Sequence, residues 1–153
     1  MDRRAMLGML GTGAVGVALT STEVFAQDPH DAHKAMHTKM AESCLKACSD
    51  CAKSCDETFH HCMMLLAKGE KEHALSAHLL SDCAGFCGLS ACMIAKHSPL
   101  MAHSCMACAE ACKATAAEVD KFDMPQMKMT AKMLMACEKS CREMVAAMAH
   151  NHG

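Results

Sequence analysis

The chain has 153 residues and a formal net charge of −2, with acidic and basic residues interspersed, so one domain is the default and no basic stripe or acidic tail points to nucleic acid. It has no Trp or Tyr and only four Phe, but 13 Cys, 17 Met and 11 His. Its core must therefore use small and sulfur-bearing side chains, and the composition reads as either a disulfide scaffold or a metal site.

Residues 1–26 read as a cleavable signal peptide. Asp2-Arg3-Arg4 precede a weakly apolar, Gly-rich stretch from Ala5 to Leu19, and Val24-Phe25-Ala26 stand ahead of Gln27. The apolar stretch is shorter than the ~20 residues a membrane-spanning helix needs. Arg3-Arg4 resemble a twin-arginine signal, although the residues around them match that pattern only in part. Such a leader implies folding before export from the cytoplasm, to a periplasmic or internal-membrane-associated location. Ser21 to Ala26 contain no Cys to carry a lipid, so no stable membrane anchor is expected. The charges of Asp2, Arg3, Arg4 and Glu23 cancel, and the domain expected over 27–153 keeps every Cys.

Four helical segments follow. The first runs from about Ala32 to Ala67 and is closed by Lys68-Gly69; the second runs from about Lys71 to Lys96 and is closed by His97-Ser98-Pro99. The third runs from about Leu100 to Val119, and the fourth from about Pro125 to Ala149. Gly just past a helix and Pro at the first turn of the next are stop and start signals. Short connections make consecutive helices antiparallel neighbours. The sequence thus predicts an all-α, up-down-up-down four-helix bundle.

In the first segment Cys44, Cys48, Cys51, Cys55 and Cys62 follow the spacing of an inward bundle seam. Cys83 and Cys87 repeat it in the second segment, Cys105, Cys108 and Cys112 in the third, and Cys137 and Cys141 in the fourth. Cys92 fits its frame poorly. The same frames turn Met101, Thr115 and Val119 inward on the third segment, and Met127, Thr130, Leu134, Met144 and Met148 on the fourth, giving a Cys-lined core. A buried Cys often serves as a small apolar residue, but Ala would do that without a redox liability in an oxidising compartment. Disulfides within one helix would be strained, and an odd number of Cys cannot be fully paired.

Thiolates and thioethers are soft ligands, suited to Cu(I), zinc or iron–sulfur clusters. One tetrahedral zinc site, for example from Cys48, Cys51, Cys105 and Cys108, would leave nine Cys unused. Clusters are usually held by looped runs rather than helical rows. A monovalent, low-coordinate ion can bridge neighbouring thiolates, and each Cu(I) that replaces a thiol proton keeps the core near neutral. All 13 Cys are candidate ligands, implying roughly one Cu(I) per Cys. His60, Met64 and Met127, with His61, Met63, Met124 and Met129, gather near the 68–71 and 120–124 connections, and this end is the candidate entrance. The opposite end carries Met144, Met148, His150 and His152. His30, His33 and His37 read as solvated helix-start residues.

The leader and the stripe from Cys44 to Cys62 resemble the bacterial Cys-lined copper storage proteins, in particular the exported type of methane-oxidising bacteria. That resemblance implies Cu(I) held by Cys pairs inside each bundle, a homotetramer, and supply of copper to a copper-accepting enzyme such as a membrane-bound methane monooxygenase. It implies no enzymatic activity. The alternatives are a thiol redox protein, which should have one privileged CxxC at a helix N-terminus, and a structural zinc bundle.

Overall fold

A computed structural model describes the backbone of residues 29–149 and the side chains of residues 38–149. The leader expected over 1–26, His150 and His152, and the side chains of His30, His33 and His37 lie outside the described residues. Four α-helices are present among the described residues: α1 (Pro29–Ala67), α2 (Ala74–Ala95), α3 (Met101–Val119) and α4 (Pro125–Ala149). The start of the second segment is a 3₁₀ turn, Lys71–His73, where an α-helix was expected. Each helix packs on the two beside it, α1 against α2 and α4, and α3 against α2 and α4. This closes the chain into an antiparallel bundle, and no strand occurs among the described residues.

The helix ends explain the connections. Gly69 takes φ +93° after α1, its N–H bonds Leu66 O at 2.9 Å and the Glu70 N–H bonds Leu65 O at 3.1 Å, a Schellman closure that satisfies two carbonyls left over at the helix end. After α2, His97 does the same at φ 50°, with its N–H on Ile94 O and the Ser98 N–H on Met93 O, both 3.0 Å. Pro99 then prevents the helix from resuming. Pro125 opens α4, where its missing N–H costs nothing.

The outer surfaces differ. α1 carries the pairs Lys46–Asp50 and Lys53–Glu57, and Arg142 on α4 binds Glu110 of α3 at 2.8 Å as well as Glu138 at 3.0 Å. Between Ala74 and Ala95 the only charged residue is Asp82, while Leu75, Phe86 and Leu89 are exposed. By length and mean hydropathy (1.4) the segment Lys71–Ala95 is apolar enough to cross a membrane. In the bundle its other face walls the core with fully buried Cys83 and Cys87.

Candidate metal centre

The seam positions turn inward as their spacing predicts, because residues three and four apart on a helix share one face. Twelve of the thirteen Cys are buried, and all thirteen are free thiols. Met101, Thr115, Val119, Met127, Thr130, Leu134 and Met144 are also buried, and Met148 is half-buried. Eleven sulfurs form one continuous column. At one end Cys44, Cys105 and Cys141 lie within 4.8 Å of one another, followed by the tetrads Cys48/Cys108/Cys137/Cys141, Cys87/Cys108/Cys112/Cys137 and Cys51/Cys83/Cys87/Cys112. Cys55, one turn beyond Cys51 on α1, ends the column, and its thiol is pushed up by Cys51 and Cys83. Contacts cross the bundle: Cys48 to Cys141 at 3.5 Å, Cys87 to Cys108 at 3.5 Å, Cys83 to Cys112 at 3.6 Å and Cys51 to Cys112 at 3.9 Å. These separations far exceed a disulfide bond, and a metal ~2.3 Å from each of two sulfurs can span them.

Successive tetrads share two sulfurs each, Cys108 and Cys137 and then Cys87 and Cys112, while Cys141 joins the first triad to the first tetrad. Shared ligands do not suit separate tetrahedral ions. Two zinc ions could occupy only the disjoint tetrads containing Cys48 and Cys51, leaving Cys44, Cys55 and Cys105 unused. Four thiolates on each Zn²⁺ would also leave net negative charge in a buried core. Bridging thiolates between monovalent ions use every sulfur and leave no excess charge.

Thiol acidity alternates along each helix. On α1, hydrogen bonds from neighbouring sulfurs, Cys105 foremost, pull Cys44 down, and Cys112 above all pulls Cys51 down to about 2. Between and beyond them Cys48 and Cys55 are pushed up, chiefly by the neighbouring Cys108 and Cys51 sulfurs respectively. Cys83 is drawn down by Cys112, and Cys137 by Cys108, whereas Cys87 and Cys112 are raised by Cys108 and Cys141 by Cys105. Cys108 is drawn down, mainly by Cys112. Cys105 is drawn down by Cys141 but pushed up further by Cys44 and burial, to about 12. Neighbouring buried thiols therefore differ in acidity, each set by the sulfurs around it, and Cys44, Cys108 and Cys137 donate to Cys141, Cys87 and Cys48.

Two candidate ligands stand outside the column. Cys92 is exposed, because five residues beyond Cys87 turn it about 140° around α2. Cys62 is fully buried but, unlike Cys55, has no other sulfur acting on it: burial raises its pKa. Between it and Cys55 the inward positions are oxygen and hydrocarbon: Thr58, Leu80, Thr115 and Thr130, each at most 1% exposed. Thr58 and Thr130 bond at 2.7 Å, Ser54 reaches Thr130 at 3.2 Å, and the Gln126 side chain donates to Thr58 at 3.0 Å. The Thr115 hydroxyl donates to Leu79 O at 3.3 Å. This layer is the floor of the column.

The floor separates the expected entrance from the column. His60 and Met64 share a surface groove with Asp56, Glu57, His61 and Gln126; Met64 is exposed, while Met127 is fully buried. These three are not brought together, and they lie on the far side of the Thr layer from the column. The other end of the column, at Cys44, Cys105 and Cys141, lies toward the start of α1 and the 97–100 connection; Met101 and Met144 belong to the same core, and Met40 and Met148 pack against it.

Residues 36–146 match the family model described as copper storage protein. An uncharacterised cysteine-rich protein of Bacillus subtilis is 33% identical over 108 residues, which cover 69% of this chain and 96% of that protein. Among solved structures, copper storage protein 3 of Bacillus subtilis in its apo form is 30% identical with a TM-score of 0.62, and the Cu(I)-bound copper storage protein BsCsp3 is 30% identical at 0.65; each comparison covers 69% of this chain and 98% of the other. A protein of Nitrosospira multiformis is 26% identical at a TM-score of 0.64, over 71% of this chain and 97% of its own.

Proposed function

The chain belongs to the copper storage protein family, and from that premise we propose that it stores about eleven Cu(I) ions per chain in its thiol column, one for each contiguous thiolate. The family is one of storage proteins, not enzymes. The observation that carries the reading is the overlap of the sulfur groups, which bridging monovalent ions can use in full. Each Cu(I) displaces one proton, so loading releases protons and the core stays neutral. With no metal bound, the thiols remain small buried groups in a hydrogen-bonded chain, which lets the empty store keep its fold.

Ions enter at the Cys44/Cys105/Cys141 end. There Met101 and Met144 supply thioethers, softer to Cu(I) than water and weaker than thiolate, between solvent and the first sulfurs. The leader pattern of residues 1–26 supports export of the folded protein, and the resemblance to the exported type supports delivery to a copper enzyme such as a membrane-bound methane monooxygenase. The nearly uncharged outer face of α2, with exposed Leu75, Phe86 and Leu89, supports assembly into a homo-oligomer, by resemblance a tetramer.

Anaerobic titration of the reduced protein with Cu(I), with helicity followed in parallel, tests storage. The expected result is uptake to about eleven ions per chain with helicity unchanged from the start. Saturation at one or two ions, or folding only on metal addition, would replace storage with a structural metal site.

A further inference from the structure

The end of the bundle away from the thiols carries a second group of ligand atoms. The 3₁₀ turn Lys71–His73 follows the Gly69 reversal, and in such a turn residues three apart stack over one another. Glu70 and His73 therefore stand on one side. Ligand atoms of Glu70, Glu72 and His73 lie within 4.8 Å of one another. His73 is 2% exposed, and its ring packs on Phe122 of the 120–124 connection with centroids 4.4 Å apart. A His fixed this way would ordinarily satisfy its nitrogens with protein groups. Here Nδ1 is buried with no hydrogen-bond partner. Nε2 points at Glu70 Oε2 from 3.7 Å, beyond hydrogen-bond range, whereas two ligands of one tetrahedral ion bonded at 2.0–2.1 Å lie about 3.3 Å apart.

We propose that Glu70, Glu72 and His73 bind one divalent first-row cation, with Zn²⁺ as the working probe, at the closed end of the bundle. One imidazole and two carboxylates form a borderline-to-hard donor set, which selects a divalent ion and discriminates against Cu(I), for which the thiols compete far better. The charge also fits, since two carboxylates and a neutral imidazole balance a dication. His73 is the rigid ligand, held by Phe122, and half-exposed Glu70 and exposed Glu72 close on the ion by rotamer changes. Because Phe122 belongs to the connection between α3 and α4, a bound ion fastens the 68–73 turn beneath that connection. The two metals are thereby separated by type, soft ions above the Thr layer and a borderline ion below it.

The test compares the full chain with the Glu70→Gln/Glu72→Gln double variant and with His73→Gln, each loaded with Cu(I) and then dialysed against Zn²⁺, with both metals counted. The carboxylate variant changes only partly or fully exposed side chains and keeps every thiol, so zinc taken up by thiols cancels in the comparison. The expected result is one more Zn²⁺ per chain in the unaltered protein than in either variant, and a melting temperature that Zn²⁺ raises by several degrees only in the unaltered protein. Equal zinc content in the unaltered chain and the carboxylate variant overturns the site, whatever the copper count. A low copper count in all three proteins speaks against storage and leaves the zinc difference readable.

Discussion

Replacing both Cys62 and Cys92 by Ala should leave copper capacity unchanged, whereas replacing Cys112 alone should reduce it. Cys112 has four sulfurs within 4.0 Å: Cys83 at 3.6 Å, Cys87 at 3.7 Å, and Cys51 and Cys108 at 3.9 Å. It belongs to two overlapping tetrads. If capacity follows the contiguous thiolates that monovalent ions can neutralise, the unaltered chain and the Cys62→Ala/Cys92→Ala variant both saturate near eleven Cu(I), and Cys112→Ala saturates at about ten or fewer. In the empty protein, loss of the Cys112 sulfur with its small cavity should cost about 1 kcal/mol, a melting shift of roughly 3–5 °C, so a fall in capacity can be told from unfolding. Anaerobic titration against a chromophoric Cu(I) chelator reads capacity, and circular dichroism reads the fold. A double variant that loses two ions while Cys112→Ala loses one would refute the reasoning, because every thiol would then count equally wherever it sits.

Thr130→Ala breaks the bond to Thr58 inside the floor and should lower the stability of the empty protein by about 1–3 kcal/mol, while Thr58→Val/Thr130→Val, which removes both hydroxyls, should cost less; thermal unfolding compares them. Burial raises Cys62, and neighbouring sulfurs together with burial raise Cys48, Cys87, Cys112 and Cys141. A thiol with a raised folded pKa keeps its proton after the unfolded chain has lost its own. The empty bundle should therefore lose stability as pH rises above about 8.5, and denaturation at pH 7.5, 9 and 10 checks this. The Cu(I)-loaded protein, whose thiols carry no protons to lose, should show little change over that range. Met101→Leu/Met144→Leu should keep the capacity but slow the first phase of Cu(I) uptake in stopped-flow mixing, whereas His60→Ala should change neither.

Most of the fold was legible because the punctuation is chemical: Gly69, Pro99 and Pro125 stand where helices stop or start, and the Cys spacing gives each helix its inward face. The seam residues Thr115, Val119, Thr130 and Leu134 lie inside as their frames require. Depth along the bundle axis was harder to read. The frame of Cys62 gives its direction, but its isolation depends on which residues of three other helices share its level, and that register comes from packing. The same blindness hid the distance between the expected entrance and the thiols, since His60 and Met64 are near the column in chain order but separated from it by the Thr layer. The Glu70-Lys71-Glu72-His73 run lay in plain view where the second segment was expected to start as an α-helix at Lys71. In a 3₁₀ turn its first and last residues stack, and only the folded chain shows His73 buried against Phe122.

A column with a floor at one end can be filled from the other. If ions enter past Cys44, Cys105 and Cys141, those at Cys51, Cys55 and Cys83 are reached only by passing along occupied sulfurs, and they can leave only after the ions above have moved. Such a store works as a stack: the last ion loaded is the first offered to an acceptor. The shallow sulfurs then act as the working reserve, and the deepest as a deposit withdrawn only in prolonged demand.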